Sequence, residues 1–211
     1  MIRRQTGKQL ILINQQDHSR LAGELARRIG NGLFAPPGPF ESVVFAIAEH
    51  DCGWTAQDCR PQLNAQGQPE HVFEADILTS LEAWQASVEQ VRGGLAEQGR
   101  AAEEDLLRAN FFLLELLDQL SLDLCFDELI FRRIETVYPR ASEGPVSARI
   151  SSDGDGTMKL NPWPFNCPSV ELDVPGRRIA AGPYRNAETL LMACDAGAAC
   201  GVRVVLRPAA S

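Results

Sequence analysis

The chain has 211 residues, of which 45% are hydrophobic and 23% are charged, a composition that excludes a disordered tail protein. Its 20 basic and 28 acidic residues give a net charge of −8, which disfavours nonspecific binding to the phosphate backbone of nucleic acids. No apolar run approaches the roughly 18 residues of a membrane helix, and no export signal follows Arg3 and Arg4. We therefore expect a cytoplasmic protein with one domain over residues 1–211.

The first two thirds of the chain are predicted to be mainly helical. Residues 1–14 contain two β-type segments around Thr6-Gly7-Lys8, which is typical of a hairpin. Apolar residues then recur at helical spacing, and this predicts helices over 17–30, 41–51, 75–94 and 101–125. Residues 52–74 show no sustained period and contain proline and glycine, so a long loop is predicted there.

After about Pro139 the sequence changes to short β-like segments. Strands are predicted over 146–151, 157–161, 170–174, 177–181 and 201–207, and a short helix over 186–198. Turn signals separate some of them, at Asp153-Gly154-Asp155-Gly156 and at Pro175-Gly176. Neither β region alone covers its apolar face, so we expect the hairpin to join the C-terminal strands in one antiparallel sheet. The prediction is an α+β fold in which 1–16 and 139–211 form a β subdomain beside a helical core over 17–138.

Four residues that can bind metals are predicted to lie on the buried sides of helices. His18, His50, Asp51 and Asp118 each follow or precede apolar residues by about one helical turn, which places them on the buried sides of three predicted helices. Buried ionisable groups are unfavourable unless they are paired or bind a metal. A mixed set of imidazoles and carboxylates suits Mn, Fe, Co, Ni or Zn better than Ca or Mg. The sequence therefore predicts a site for a divalent transition metal.

Each of these side chains also has a purely structural interpretation. His18 is compatible with a half-buried position in the first turn of a helix. The His50-Asp51 pair is compatible with a C-terminal cap, where an imidazolium is favourable. Asp118 is compatible with a hydrogen bond to Ser121 or to a neighbouring backbone group. The metal hypothesis competes with these three explanations taken together.

Four motifs extend over most of the chain. They are Gln16-Asp17-His18-Ser19-Arg20-Leu21-Ala22, Ala48-Glu49-His50-Asp51-Cys52-Gly53-Trp54, Leu117-Asp118-Gln119-Leu120-Ser121-Leu122 and Pro162-Trp163-Pro164-Phe165. With these motifs the chain resembles the bacterial domain-of-unknown-function family 3891. The order His, His-Asp, Asp on successive predicted helices also resembles the HD-domain superfamily of metal-dependent phosphohydrolases. That second resemblance implies an HD-like all-helical core beneath the sheet.

The HD resemblance implies that His18, His50, Asp51 and Asp118 are the ligands of one metal ion. Larger members of the superfamily carry further histidines between the His-Asp pair and the last Asp, and these build a second metal site. Here that interval contains only His71, which falls in the predicted loop. We therefore expect one ion rather than two.

The function implied by the resemblance is hydrolysis of a small phosphorylated metabolite or nucleotide. The metal would polarise a phosphoryl oxygen and lower the pKa of a bound water. Glu49 or Asn110 is expected to orient the water or the substrate. Two other interpretations stay open: a noncatalytic small-ligand-binding or structural protein with a lapsed metal site, and an HD-type iron oxygenase. The sequence specifies neither the substrate nor the oligomeric state.

Overall fold

The computed structural model describes residues 1–100, 111–130, 133–139, 145–152 and 156–209. Its helices are α1 (Gln15–Ala26), α2 (Phe40–Ala48), α3 (Thr55–Asp58), α4 (Ile77–Glu97), α5 (Phe111–Phe126) and α6 (Ala187–Ala196). Two short 3-10 helices are Cys52–Trp54 and Val72–Glu74. The strands are β1 (Ile2–Thr6), β2 (Gln9–Ile13), β3 (Arg133–Pro139), β4 (Pro145–Ser152), β5 (Thr157–Asn161), β6 (Val170–Ala180) and β7 (Ala198–Pro208).

These strands form one seven-stranded sheet in the order β1-β2-β6-β7-β5-β4-β3. Neighbouring strands are antiparallel except β5 and β7, which are parallel, with Thr157 opposite Val205. Leu10 of β2 pairs with Ile179 of β6, so the N-terminal hairpin does join the C-terminal strands. An isolated hairpin is only marginally stable in water, and this pairing removes that weakness.

Strand β2 is apolar on both faces because both faces are covered. Ile11 and Ile13 contribute to the main core, which lies between the sheet and helices α1, α2 and α5. Leu10 and Leu12 point the other way and pack near Leu190 of α6. Successive strand residues alternate between the faces of a sheet, so the uninterrupted run Leu-Ile-Leu-Ile indicates a strand that is buried on both sides.

The predicted HD-like all-helical core is wrong. The main hydrophobic cluster combines Leu25 of α1 and Leu117 of α5 with sheet residues such as Ile13, Ile150 and Val204, so helices and strands share one core. Helical periodicity identifies the apolar stripe of a helix but not the element that covers it. The prediction of an antiparallel sheet is also wrong, because β5 and β7 run parallel.

Several element bounds differ from the predicted ones. Helix α1 begins at Gln15 and ends at Ala26, so it starts two residues before the predicted 17–30 segment. The predicted loop over 52–74 contains α3 and both 3-10 helices. The first ten residues of the helix predicted over 101–125 and the turn residues 153–155 lie outside the described residues. Within the described residues, none of the helices has the length and apolar character needed to cross a bilayer.

Pro175-Gly176 is not a turn but part of the continuous strand β6, where Gly176 pairs with Cys200. A Cβ atom at Gly176 would lie 2.9 Å from Ile11 Cγ2 and 3.3 Å from Val202 Cγ2. The glycine is therefore required by the close approach of neighbouring side chains in the sheet, and not by a reversal of the chain.

We predict that Gly176→Ala destabilises the protein by about 1–3 kcal/mol, because the added methyl group overpacks the contact with Ile11. Urea unfolding measures the change in the free energy of unfolding. Gly201→Ala is a matched control in β7, because a Cβ there meets nothing closer than 3.8 Å. Equal effects of the two substitutions would contradict this explanation of Gly176.

Candidate metal centre

Four side chains from three segments meet at one place in the described structure. They are His18 on α1, His50 and Asp51 just after α2, and Asp118 on α5. One ligand atom from each lies within 4.8 Å of the ligand atoms of the other three. This group of histidines and aspartates can hold a metal ion.

His50 and Asp51 do not lie on a helix as the sequence predicted. Helix α2 ends at Ala48, Glu49 caps it, and the His-Asp pair occupies the turn that leads into the 3-10 helix Cys52–Trp54. Adjacent side chains in an α-helix point about 100° apart, but His50 and Asp51 lie beyond the end of α2. The turn conformation allows both side chains to reach the same cluster.

A close crossing of α1 and the end of α2 positions the two histidines. A Cβ at Gly23 would lie only 2.5 Å from Ala48 Cβ, so the two backbones pack as near neighbours. Ser19 Oγ donates a hydrogen bond to the Ala48 carbonyl at 3.0 Å. The rings of His18 and His50 consequently stand edge to face, with their centroids 5.3 Å apart.

Both imidazoles are oriented in the same way by the backbone. Nδ1 of His18 lies 2.7 Å from the carbonyl oxygen of Gln15, and Nδ1 of His50 lies 2.7 Å from that of Ile47. A carbonyl oxygen only accepts hydrogen bonds, so each Nδ1 carries the proton and donates it. Each Nε2 is then directed at the same atom, Asp118 Oδ1, at 2.8 Å from His18 and 3.2 Å from His50. Metal-binding histidines in proteins usually show this fixed tautomer.

The ionisable groups of the cluster shift one another's pKa values. Burial disfavours the charged form of His50, but the hydrogen bond to Asp118 and the charges of Asp51 and Asp118 outweigh burial and raise the pKa of His50 to about 9. Burial also acts to raise the pKa of Asp118, yet hydrogen bonds from His18 and His50 hold that pKa well below its ordinary value. The pKa of Asp51 is raised, because burial outweighs the attraction of the two histidines. Without a metal, the cluster therefore holds at least one imidazolium against the Asp118 carboxylate.

Gln15 is a buried residue at this site that the sequence analysis missed. Its Nε2 donates to Asp51 Oδ2 at 3.3 Å, and its backbone N–H donates to Asp58 Oδ2 at 2.6 Å. Its Oε1 is buried and has no hydrogen-bond partner within the described residues. Gln15 precedes His18 by three residues and so shares its helix face, and this spacing is the signal that could have identified it.

Helix α4 supports the segment that carries His50 and Asp51. The backbone N–H of Gly53 donates to Ser87 Oγ at 2.9 Å. A Cβ at Gly53 would overlap the carbonyl oxygen of Ala83 and lie 2.7 Å from the backbone nitrogen of Ser87. Only glycine allows this close approach of the turn to α4.

The four side chains of the cluster differ in their exposure to solvent. The side chain of His18 is fully buried, those of His50 and Asp51 are mostly buried, and that of Asp118 is 34% exposed. Asp118 is therefore the member of the cluster that solvent reaches most.

The remaining candidates are not members of the four-residue cluster. Glu49 is half-buried, and its Oε2 accepts a hydrogen bond from Gln16 Nε2 at 2.9 Å. His71 caps the 3-10 helix Val72–Glu74 and stacks on Phe126, with ring centroids 4.6 Å apart. Burial lowers the pKa of His71 to about 4, so its ring is neutral. Asn110 lies outside the described residues.

The fold and the cluster define an α+β protein with a site that can hold a metal ion. The family model described as protein of unknown function (DUF3891) matches residues 1–94 and 89–181, and the chain belongs to this family. No curated protein and no solved structure matches the chain. The family match covers all four residues of the cluster, and none of the comparisons links the chain to the HD superfamily.

We predict that Gly53→Ala destabilises the protein by about 1–3 kcal/mol or more, because the methyl group forces the turn away from α4. Thermal and urea unfolding measure the loss. Gly93→Ala in α4 is the matched control, since a Cβ at Gly93 meets nothing within 4 Å. Replacing that helical glycine should instead stabilise the protein by about 0.5–1 kcal/mol. A neutral effect of Gly53→Ala would show that the turn does not depend on α4.

Proposed function

We propose that the protein is a metal-dependent hydrolase that uses one divalent transition-metal ion to cleave a small phosphorylated metabolite. His18, His50, Asp51 and Asp118 would hold the ion. The observation that carries the proposal is the orientation of both imidazoles, whose Nε2 atoms converge on Asp118 Oδ1.

The orientation of the two imidazoles favours a bound cation between the Nε2 atoms and Asp118 over direct contact of these atoms. When both imidazoles are neutral and each Nδ1 proton is donated to a backbone carbonyl, the two Nε2 atoms and the Asp118 oxygen are all acceptors. Acceptors this close to one another need protons or a positive ion between them. A metal ion satisfies all of them at once, and the mixed nitrogen and oxygen donors favour Mn, Fe, Co, Ni or Zn.

The order of the ligands supports a hydrolase. His18, the His50-Asp51 pair and Asp118 follow one another along the chain as the ligands of HD-type phosphohydrolases do, although the fold differs. When bound, the ion would polarise a phosphoryl oxygen and lower the pKa of a bound water. The partly exposed Asp118 marks the side on which substrate and water enter.

Two residues beside the ligands have suitable chemistry to position water. The buried Oε1 of Gln15 is an acceptor without a partner among the described residues, and the amide of the same side chain holds Asp51. The Glu49 carboxylate lies next to His50 in the chain and is held by Gln16. Glu49 is the candidate general base. Asn110 lies outside the described residues, and its role in orienting the water or the substrate stays a prediction from the sequence.

The charges of the cluster suit one divalent ion. The charges that act most strongly on Asp51 are those of His50, His18, Asp118 and Asp58. The carboxylates of Asp51 and Asp118, together with two neutral imidazoles, would balance the charge of one divalent ion.

Metal binding is the first test. Wild-type protein loaded with Zn²⁺ or Mn²⁺ should lose thermal stability when a chelator is added, because an ion at a hundredfold excess over its Kd contributes about 2.7 kcal/mol. His50→Ala should contain less metal and respond little to the chelator. Differential scanning calorimetry and elemental analysis measure both effects.

His71→Ala is the matched control for this test, because it also removes one imidazole but lies outside the cluster. It should retain the metal content and the chelator response of the wild type. Equal chelator responses of His50→Ala and the wild type would overturn the metal site.

Hydrolysis is the second test, with a panel of phosphomonoesters and nucleotides in the presence of Mn²⁺. We expect activity on small monoesters, and Glu49→Gln should lower kcat by about 100-fold if Glu49 is the base. Metal content should not change in Glu49→Gln. Stoichiometric metal binding without hydrolysis of any phosphoester would instead identify a noncatalytic metal protein.

A further inference from the structure

Five large apolar side chains are exposed together on and just before α4. They are Phe73 (57% exposed), Ile77 (74%), Leu78 (68%), Leu81 (54%) and Trp84 (65%). We refer to these five residues as the α4 patch. Single exposed apolar residues are common on protein surfaces, but five large ones within twelve residues of the chain favour an interaction site.

The apolar stripe that carries the α4 patch is packed only in the C-terminal half of the helix. Val91 follows Trp84 by seven residues and Leu95 follows Val88 by seven, so both continue the same stripe. Val91 and Leu95 are buried and pack against Ala46 of α2, whereas the N-terminal half of the stripe is exposed. An apolar stripe of a helix is usually covered along its length, which favours a partner over the exposed half.

The spacing of the exposed stripe is that of a helix–helix seam. Ile77, Leu81, Trp84 and Val88 are separated by four, three and four residues, as in the contact positions of a coiled coil. Between Ile77 and Val88 the only charged residue is Glu82. Depletion of charge is a feature of the buried centre of protein interfaces.

The exposed area matches what a small dimer interface requires. Taking roughly 150–200 Å² for each large side chain, the α4 patch leaves on the order of 550 Å² in contact with water. Two copies of the patch would bury about 1,100 Å², close to the roughly 1,200 Å² at which specific interfaces begin. Neighbouring side chains on the same helix add to this area.

We propose that the α4 patch is the contact surface of a homodimer, in which the α4 helices of two copies cross antiparallel near Leu81. Twofold symmetry then packs the two Leu81 side chains together and places Ile77 against Trp84 of the partner subunit. The seam has apolar residues on both sides of Leu81, so it is complementary to itself. No like charges meet at its centre.

The experiment measures the mass of the full chain in solution by light scattering and sedimentation equilibrium. The wild type should be a dimer, and Leu81→Glu and Trp84→Glu should each weaken the dimer by about tenfold or more, because they bury a charge at the seam. Leu33→Glu and Met192→Glu are matched controls, since their side chains are equally exposed elsewhere, at 54% and 65%. Both controls should remain dimeric.

Folding is checked independently by circular dichroism and by thermal unfolding, which the α4 variants should keep close to wild-type values. A monomeric wild type at about 100 μM would overturn the proposal. So would a dimer that survives both α4 substitutions or dissociates with either control. The result is independent of the proposed hydrolase, because the mass of the protein in solution is measured without reference to metal binding or catalysis.

Discussion

The Oδ1 atom of Asp118 is in hydrogen-bond contact with the Nε2 atoms of both His18 and His50. These two contacts connect α5 to α1 and to the turn after α2. His18 is fully buried, so its imidazole depends on partners that the protein supplies. Removing the Asp118 carboxylate would leave two imidazoles without their acceptor, which costs more than the loss of one ordinary hydrogen bond. Because Leu117 and Leu120 on the same helix are in the main core, the packing of α5 and the geometry of the cluster are set together.

Helix α4 connects this cluster to the surface. Its inner face provides Ser87, which holds the backbone of Gly53 two residues after Asp51. The same face packs on α2 through Val91 and Leu95. The exposed N-terminal half of the helix carries the α4 patch. A partner bound to the α4 patch would thus restrain the helix on which the His-Asp turn rests, so that association and the rigidity of the site would depend on one element.

Sequence periodicity predicted most of the helices and strands, but it did not predict which side of α4 is buried. The residue types and approximate places of His18 and Asp118 were evident from the apolar stripes of α1 and α5, and the joining of the hairpin to the C-terminal strands is confirmed. For α4 the spacing of apolar residues predicted a helix but not its buried face, on which the structure places the small residues Ala83 and Ser87. The reason is distance: Gly53 lies so close to α4 that only small side chains fit there. Hydrophobic periodicity measures polarity and contains no information on how closely two backbones approach.

The cluster and the fold impose different constraints on the chain. The cluster requires only that three segments meet with defined side-chain directions, and here a helix N-terminus, a turn and a long helix meet this condition. The elements that cover these segments are free to vary, and in this protein a mixed sheet covers them. The order His, His-Asp, Asp is therefore informative about which side chains meet at the cluster. It is uninformative about the core behind the site, since the apolar stripes of α1 and α5 pack equally well on strands or on helices.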